Sequence, residues 1–228
     1  MSAPAGVFVT GTDTGVGKTR VAAALIRALT HRGLPALGMK PVASGCRRTE
    51  QGLRSADAEA LLAAGASAAP YPLVNPYALE PAVAPHLAAE EVGIRLRFEH
   101  IRHCHRQLLT LAPTVIVEGV GGWRVPLGPD GEVADLAAAL RLPVLLVVGL
   151  RLGCINHALM TADAVLARGL TLAGWVASAV DPEMSHVTGN LRTLSQRLPA
   201  ACLGILSHRP AASADLEATA LDLHRLGC

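Results

Sequence analysis

Two lysines stand in a chain of 228 residues that otherwise takes its positive charge from eighteen arginines, and both fall where an ammonium could do chemistry. Lys18 closes the run Gly11-Thr12-Asp13-Thr14-Gly15-Val16-Gly17-Lys18-Thr19, and Lys40 opens Lys40-Pro41-Val42-Ala43-Ser44-Gly45. A lysine ammonium is a compact, mobile point charge where arginine offers a planar fork. The first run has the form of a phosphate-binding loop, in which consecutive backbone N–H groups make a concave nest at a helix N-terminus and the helix dipole adds to the attraction for phosphate oxygens. Gly15 and Gly17 let that backbone approach closely, Lys18 would reach the outer phosphates, and the Thr19 hydroxyl would bind a magnesium ion. The loop is lengthened, G-x5-G-K-T, because Thr12 stands where the strict pattern has its first glycine. On these residues alone, a glycine turn between strand and helix is the alternative.

Carboxylates come next. Thr114-Val115-Ile116-Val117-Glu118 is an apolar run ending in an acid, followed by Gly119-Val120-Gly121-Gly122. A carboxylate at the end of a buried strand is costly without a partner, and beside a nucleotide that partner is magnesium. The glycines allow a second close backbone approach. Asp57 falls in the first turn of a helix capped by Ser55 and reads either as a metal ligand or as an acid favoured by the helix dipole. Ser44 shares the segment of Lys40, which alternatively is a surface lysine in a turn. Gly153-Cys154-Ile155-Asn156 opens a further helix and makes either an anion site or an ordinary cap.

The elements that must position these groups are strands alternating with helices. Val7 to Thr10 reads as a buried strand, and Val21, Ala24, Leu25, Ala28 and Leu29 follow helical spacing after Lys18. Strands are expected at 36–42, 114–118, 143–148, 172–176 and 202–206. Helices are expected from Ser55, at 98–111, 135–140, 153–168, 185–197 and 212–226, with a polar loop at 47–54. Residues 69–85, dense in proline and carrying Tyr71, Asn75 and Tyr77, read as an ordered excursion within one domain spanning residues 1–228. Repeated strand-helix units predict an α/β fold with a mostly parallel sheet of about seven strands covered on both faces. In such a sheet, ligands lie beyond the carboxyl ends of the strands, where Lys18, Lys40 and Glu118 would meet.

Composition excludes other classes. Apolar residues make up 51% of the chain and aromatics 3%, which suits Val/Leu/Ala-rich parallel strands. The formal net charge is +2 with no basic run, so no nucleic-acid or acidic-membrane partner is expected. No apolar stretch is long enough to span a membrane and no signal-peptide pattern opens the chain, so the cytoplasm is the expected compartment. Five cysteines without a pairing pattern fit reduced thiols. His100, His103, Cys104 and His105 share one helix. Adjacent residues there point in different directions and no second ligand pair follows, which favours packing over zinc.

Together, G-T-D-T-G-V-G-K-T, K-P-V-A-S-G, V-E-G-V-G-G-W, V-V-G-L-R-L-G-C-I-N-H-A and L-A-G-W-V-A resemble the dethiobiotin synthetases, from Val7 to about Gly204. The resemblance implies a P-loop NTPase-like three-layer sandwich. It also implies a homodimer that takes 7,8-diaminononanoate, carbon dioxide (or bicarbonate) and ATP, and makes dethiobiotin, ADP and phosphate. By the same resemblance Lys18 and Lys40 are catalytic. Thr19, Asp57 and Glu118 hold magnesium. Gly15, Val16, Gly17, Lys18, Thr19, Arg20, Asp57, Glu118, Gly119, Val120, Gly121, Ser178, Ala179 and Ser207 meet the nucleotide. Thr14, Ser44 and Gly121 meet the substrate, and Gly153, Cys154, Ile155 and Asn156 meet its carboxylate from the neighbouring subunit.

The family's V-A-N-D is Val176-Ala177-Ser178-Ala179 here and its I-P-W is Leu206-Ser207-His208, so the grip on adenine is expected to be relaxed. The rival reading is a nucleotide-switched ATPase of the partition and septum-site type. Those proteins carry a signature lysine where this chain has Asp13, and they lack K-P-V-A-S-G. A cobyric-acid-type amidase synthetase would need a glutamine-hydrolysing domain for which the chain has no room.

Overall fold

A computed structural model describes residues 6–208 and 214–226. The chain begins with β1 (Gly6–Gly11), the phosphate-loop segment, α1 (Lys18–His31) and β2 (Ala36–Met39). Short β3 (Val42–Ala43), β4 (Arg47–Thr49) and β5 (Gly52–Arg54) lead to α2 (Ala56–Ala64). The proline-dense excursion holds α3 (Tyr71–Val74), β6 (Tyr77–Ala78) and α4 (Pro85–Glu91), followed by α5 (Phe98–Leu109). Then come β7 (Thr114–Glu118), α6 (Val133–Leu140), β8 (Val144–Leu150), α7 (Cys154–Ala167), β9 (Leu172–Ala179), α8 (Val187–Arg197), β10 (Cys202–Leu206) and α9 (Ala214–Thr219), with a 3-10 turn at Leu223–Leu226.

Among the described residues the main sheet has six strands in the order β10-β9-β8-β1-β7-β2, all parallel, in keeping with the expected mostly parallel sheet of about seven. Its strands are apolar on both faces because both are covered. Phe8, Val115, Val117, Leu146 and Val148 point into one core cluster with α5, α6 and α7, and Val7, Val9, Ile116, Leu145 and Val147 into the other with α1 and α2. Period-two alternation thus feeds two cores, which gives three layers. Gly38 marks a close approach in the second core, since a Cβ there would meet Leu61 Cβ at 2.6 Å and Ile26 Cδ1 at 2.9 Å.

The strand order sets the site. From β1 the chain crosses to β2, returns through β7 to fill the gap between them, and then builds outward on the other side through β8, β9 and β10. The reversal falls around β1, so the crevice opens beyond its carboxyl end, where the phosphate-loop segment lies. No described helix is long and apolar enough to cross a membrane.

Local differences from expectation have physical causes. The polar 47–54 loop is an antiparallel hairpin, with Arg47 facing Arg54 and the Thr49 hydroxyl bonded to the Gly52 carbonyl at 2.7 Å. The expected last helix is broken: Leu221 bridges to Gly204 between α9 and the 3-10 turn, and the start at 212 lies outside the described residues. β9 runs on to Ala179, three residues past the expected end.

Candidate active site

Gly17 stands at the N-terminus of α1 with φ +91°, and Gly15 has φ +74°, both in the left-handed region that side chains resist. Val16 between them is buried in the core under α1, with its methyls where a Cβ on Gly149 would sit. The Thr12 amide donates to the Val147 carbonyl at 3.0 Å, and its hydroxyl accepts from the Gly149 amide at 3.3 Å, pinning the loop to β8. Asp13 braces it from outside: its carboxylate accepts from the Thr14 amide at 2.7 Å and pairs with Arg151. These bonds hold the Asp13 carboxyl below its usual range, the Thr14 amide most of all, against the opposing effect of burial. Lys18 folds back to donate to the Asp13 carbonyl at 2.8 Å. Its burial, reinforced by nearby Lys40, lowers its pKa to about 8.

Lys40 follows the end of β2 and is 3% exposed. Its ammonium lies 2.6 Å from Glu118 Oε1, 2.7 Å from Asp57 Oδ2 and 3.2 Å from the Gly119 carbonyl. The Thr19 hydroxyl donates to the same Glu118 oxygen at 2.9 Å. Burial works against the charge on Lys40, but Glu118 and Asp57 more than offset it and raise its pKa. Asp57 is also opposed by desolvation, yet Lys40 and Thr19 hold it below the usual carboxylate range. Glu118 goes the other way: complete burial, added to the Asp57 charge, outweighs Lys40 and raises its pKa. One ammonium does not offset the charge of two carboxylates.

The donor set fits magnesium. Thr19, Asp57 and Glu118 offer hard oxygens, and Glu118 Oε2 is buried with no hydrogen-bond partner. A dication would supply both the missing charge and a partner for that oxygen. Among the described residues no cluster of three or more His, Cys, Asp or Glu side chains forms a metal site. On α5, His100 Nε2 lies 3.8 Å from Cys104 Sγ and stacks edge-on to Tyr77, so this group packs the helix against the excursion.

These residues meet in one cleft of about 770 Å³, whose polar end is lined by Thr14, Gly15, Gly17, Lys18, Thr19, Lys40, Ser44, Asp57, Glu118 and Gly121. The Ser44 hydroxyl is buried there without a partner. The other wall is Ala82, Val83, Ala84, Pro85, Val120 and Val125; of these, sequence reasoning named only Val120, as a nucleotide contact, and the apolar surface went unread because its pieces come from the excursion and from within and beyond the glycine run.

Asn75 was missed too. Its side chain, 3% exposed, donates to the carbonyls of Lys40 at 2.7 Å and Tyr77 at 3.2 Å and accepts from the Tyr71 hydroxyl at 3.0 Å. That hydroxyl accepts in turn from the Ser55 amide at 2.7 Å, at the cap of the helix bearing Asp57.

Other expected residues lie outside this cleft. Gly119 contributes its carbonyl to Lys40 and its amide to Val9. Ser178 is fully buried at the end of β9, its hydroxyl unpartnered and 2.7 Å from the point where a Cβ on Gly17 would stand. Arg20 binds the Ser207 carbonyl at 3.1 Å and Glu217 at 2.5 Å, tying α1 to α9, and the Ala179 carbonyl meets the His208 ring at 3.3 Å. Gly153, with φ +92°, starts α7, and Cys154, Ile155 and Asn156 form its first turn. That turn is not part of the cleft lining. Leu152 just before it is 97% exposed.

The chain matches a family model described as an AAA domain over residues 5–215. It is 53% identical over 218 residues to the ATP-dependent dethiobiotin synthetase BioD of Xanthomonas euvesicatoria pv. vesicatoria, covering 96% of this chain and 97% of that protein. It is 53% identical over 221 residues to the protein of the same name from Pseudomonas aeruginosa strain UCBPP-PA14, with 96% and 97% covered. Among solved structures, the signal recognition particle receptor FtsY from Elizabethkingia anophelis superposes with a TM-score of 0.54 at 14% identity, covering 96% of this chain and 66% of that one. The MinC:MinD cell division complex of Aquifex aeolicus gives 0.54 at 15% identity, covering 96% and 87%. These last two similarities bear on the fold alone.

Proposed function

The chain belongs to the dethiobiotin synthetase family, and from that premise we propose that it closes the ureido ring of dethiobiotin from 7,8-diaminononanoate, carbon dioxide and ATP, releasing ADP and phosphate. The observation that carries this reading is the convergence of Lys18, Lys40, Ser44, Asp57 and Glu118 on one cleft with an apolar wall beside them. A phosphate nest alone would serve any nucleotide-binding protein. A second buried ammonium beside an unpartnered hydroxyl provides for an anionic acceptor.

One amine of the substrate takes up carbon dioxide and loses a proton to give a carbamate. A carbamate oxygen then attacks the γ-phosphorus and ADP leaves. The second amine attacks the carbamate carbon, phosphate departs and the ring closes. Lys18 faces the outer phosphates from the loop and Lys40 the carbamate, so charge that builds on both anions in the transfer meets a fixed ammonium. The Ser44 hydroxyl donates to the carbamate, and the wall of Val83, Pro85, Val120 and Val125 covers the methylene chain. Thr14 and Gly121 flank the reacting end. Thr19, Asp57 and Glu118 would hold Mg²⁺, which when bound neutralises phosphate charge.

The whole of residues 1–228 acts as one catalytic unit in the cytoplasm. We place Gly153 to Asn156 at the substrate carboxylate of a partner copy in a homodimer. Supporting this are the helix start that Gly153 makes, the exposure of Leu152, and the absence of that turn from the cleft lining of its own chain. Arg20, Ser178, Ala179 and Ser207 form the base end of the nucleotide site.

The test is turnover with diaminononanoate, bicarbonate and MgATP, following dethiobiotin and phosphate together. Both products should require the diamine and inorganic carbon. Nucleotide hydrolysis equally fast without diamine would instead favour a nucleotide switch.

A further inference from the structure

Of the oxygens suited to hold magnesium, Glu118 Oε2 is buried without a partner, but one oxygen of each carboxylate is already engaged. Lys40 spends its three ammonium protons on Glu118 Oε1 at 2.6 Å, Asp57 Oδ2 at 2.7 Å and the Gly119 carbonyl at 3.2 Å. Thr19 gives its hydroxyl proton to the same Glu118 oxygen. A dication bound by Thr19, Asp57 and Glu118 would draw on the same two carboxylates that Lys40 pairs with, even where it takes the unpartnered Glu118 Oε2. An ammonium and a dication within a few ångströms of each other repel, and the burial of Lys40 and Glu118 strengthens that repulsion. Lys18 is not in this contest, because its ammonium is bonded to the Asp13 carbonyl on the loop.

We infer that Lys40 is an exchangeable counter-ion of the metal site: Mg²⁺ and the Lys40 ammonium compete for Asp57 and Glu118, and arrival of the metal with nucleotide releases Lys40 toward Ser44 and the anionic acceptor. The inference rests on the magnesium and nucleotide reading above and adds an order of events to it. Before release, the ammonium is neutralised by two carboxylates and has no proton to spare for an incoming carbamate. After release, its charge is turned to the acceptor, so the acceptor meets its full electrostatic complement only in a site already loaded for phosphoryl transfer. The coupling is reciprocal: an acceptor anion that draws Lys40 away strengthens metal binding by the same factor. The lysine stem suits this role, since its charge can swing on four methylenes while the backbone is held by Asn75 and by the Lys40 amide bonded to the Val74 carbonyl at 2.8 Å.

Two lysines in the whole chain make the exchange directly observable. Protein grown on lysine labelled with ¹³C at Cε gives two side-chain signals, and Lys40→Arg identifies one of them by its loss. The labelled wild-type protein is titrated with Mg²⁺ alone, with β,γ-methylene ATP alone, and with both. The Lys18 signal should move with the analogue whether or not metal is present, and the Lys40 signal should move when metal accompanies it. Movement of Lys40 with Mg²⁺ alone at higher concentration supports the same competition. Movement of Lys40 with the analogue alone, or none at saturation with metal and analogue, overturns the exchange. A Lys18 signal untouched by the analogue would sink the nucleotide reading itself, so the two failures are distinguishable.

An independent measurement is Mn²⁺ binding by electron paramagnetic resonance without nucleotide. Lys40→Met should tighten it at least about tenfold, because the competing charge is gone. Unchanged or weaker Mn²⁺ binding in a variant with native circular dichroism overturns the inference. If that variant does not fold, the labelled wild-type titration decides alone.

Discussion

Replacing Asn75 by alanine tests whether the excursion positions the site chemistry. Asn75 touches none of the cleft, yet its three hydrogen bonds join the Lys40 carbonyl, the Tyr77 carbonyl and the Tyr71 hydroxyl, and the last continues to the Ser55 amide at the helix bearing Asp57. Lys40 and Ser55, the cap of the helix bearing the Asp57 that pairs with Lys40, therefore sit at the two ends of one chain of bonds. Three net hydrogen bonds at about 1 kcal/mol each give a loss of about 3 kcal/mol, more if the orphaned carbonyls stay dry. If the Lys40 backbone drifts by about 1 Å, kcat should fall roughly 10- to 100-fold. The loop that holds phosphates is pinned to β8 and not to the excursion, so ADP affinity should stay within about twofold of wild type. Urea unfolding, steady-state kinetics and ADP calorimetry measure the three quantities. Tyr71→Phe, which removes the hydroxyl from the middle of the chain, should give a smaller effect that is not additive with Asn75→Ala. Full kcat in a destabilised Asn75→Ala would refute the positioning role and leave only a structural one.

Lys18 has a pKa of about 8 in the fold against 10.5 for the free side chain. The unfolded chain then holds more protons between these values, so stability should rise with pH across that window, by up to about 3 kcal/mol, and Lys18→Met should flatten the rise in urea midpoints. Phosphates bind the charged form, so ADP affinity should fall above pH 8 with proton uptake, by no more than about tenfold per unit; calorimetry in two buffers showing no proton uptake at pH 9 would contradict this. Gly17→Ala, forced to φ +91° with its Cβ 2.7 Å from Ser178 Oγ, should cost about 1–3 kcal/mol and weaken ADP binding; native ADP affinity would show that the loop does not need this backbone. With a fully buried serine at 178 and no side-chain amide, CTP and GTP should support turnover within about tenfold of ATP, and a hundredfold preference for ATP would point to base contacts elsewhere.

The phosphate end of this site was legible because its chemistry is local. Strand, glycines, Lys18 and Thr19 follow one another within a dozen residues, and the helix they start has the expected buried positions Val21, Ala24, Leu25, Ala28 and Leu29. Glu118 was legible for a different reason, since an acid closing an apolar strand carries its cost in the sequence itself. Pairwise facts at long separation were not. That Lys40 pairs with both Asp57 and Glu118, that Arg151 pairs with Asp13, and that Asn75 reaches the Lys40 carbonyl are matters of packing between distant segments. The lysines read as charges for anionic ligands and the acids as charges for a metal, and nothing in their spacing says that they also serve each other. The end of β9 was also misplaced. β9 runs three residues past its expected end, and the added pairing sets Ser178 beside Gly17 of the phosphate loop.

The two ends of the cleft are held by separate parts of the fold, and this separation bears on how the enzyme could change its acceptor. The phosphate loop is fixed through Thr12, Val16 and Gly149 to β1 and β8, in the middle of a six-stranded sheet. Lys40 and the wall from Ala82 to Pro85 are fixed through Tyr71, Asn75 and the two-residue pairing of β3 with β6, all within one excursion at the edge of the fold. Substitutions at Val83, which is 46% exposed on that wall, should alter the fit of the methylene chain without reaching the phosphate end. Coupling between the two ends passes instead through charge, since Lys40 shares Glu118 with Thr19. A fold with independent scaffolds and one shared carboxylate can vary its acceptor while keeping its phosphoryl donor, because only the ion pairs have to be conserved in common.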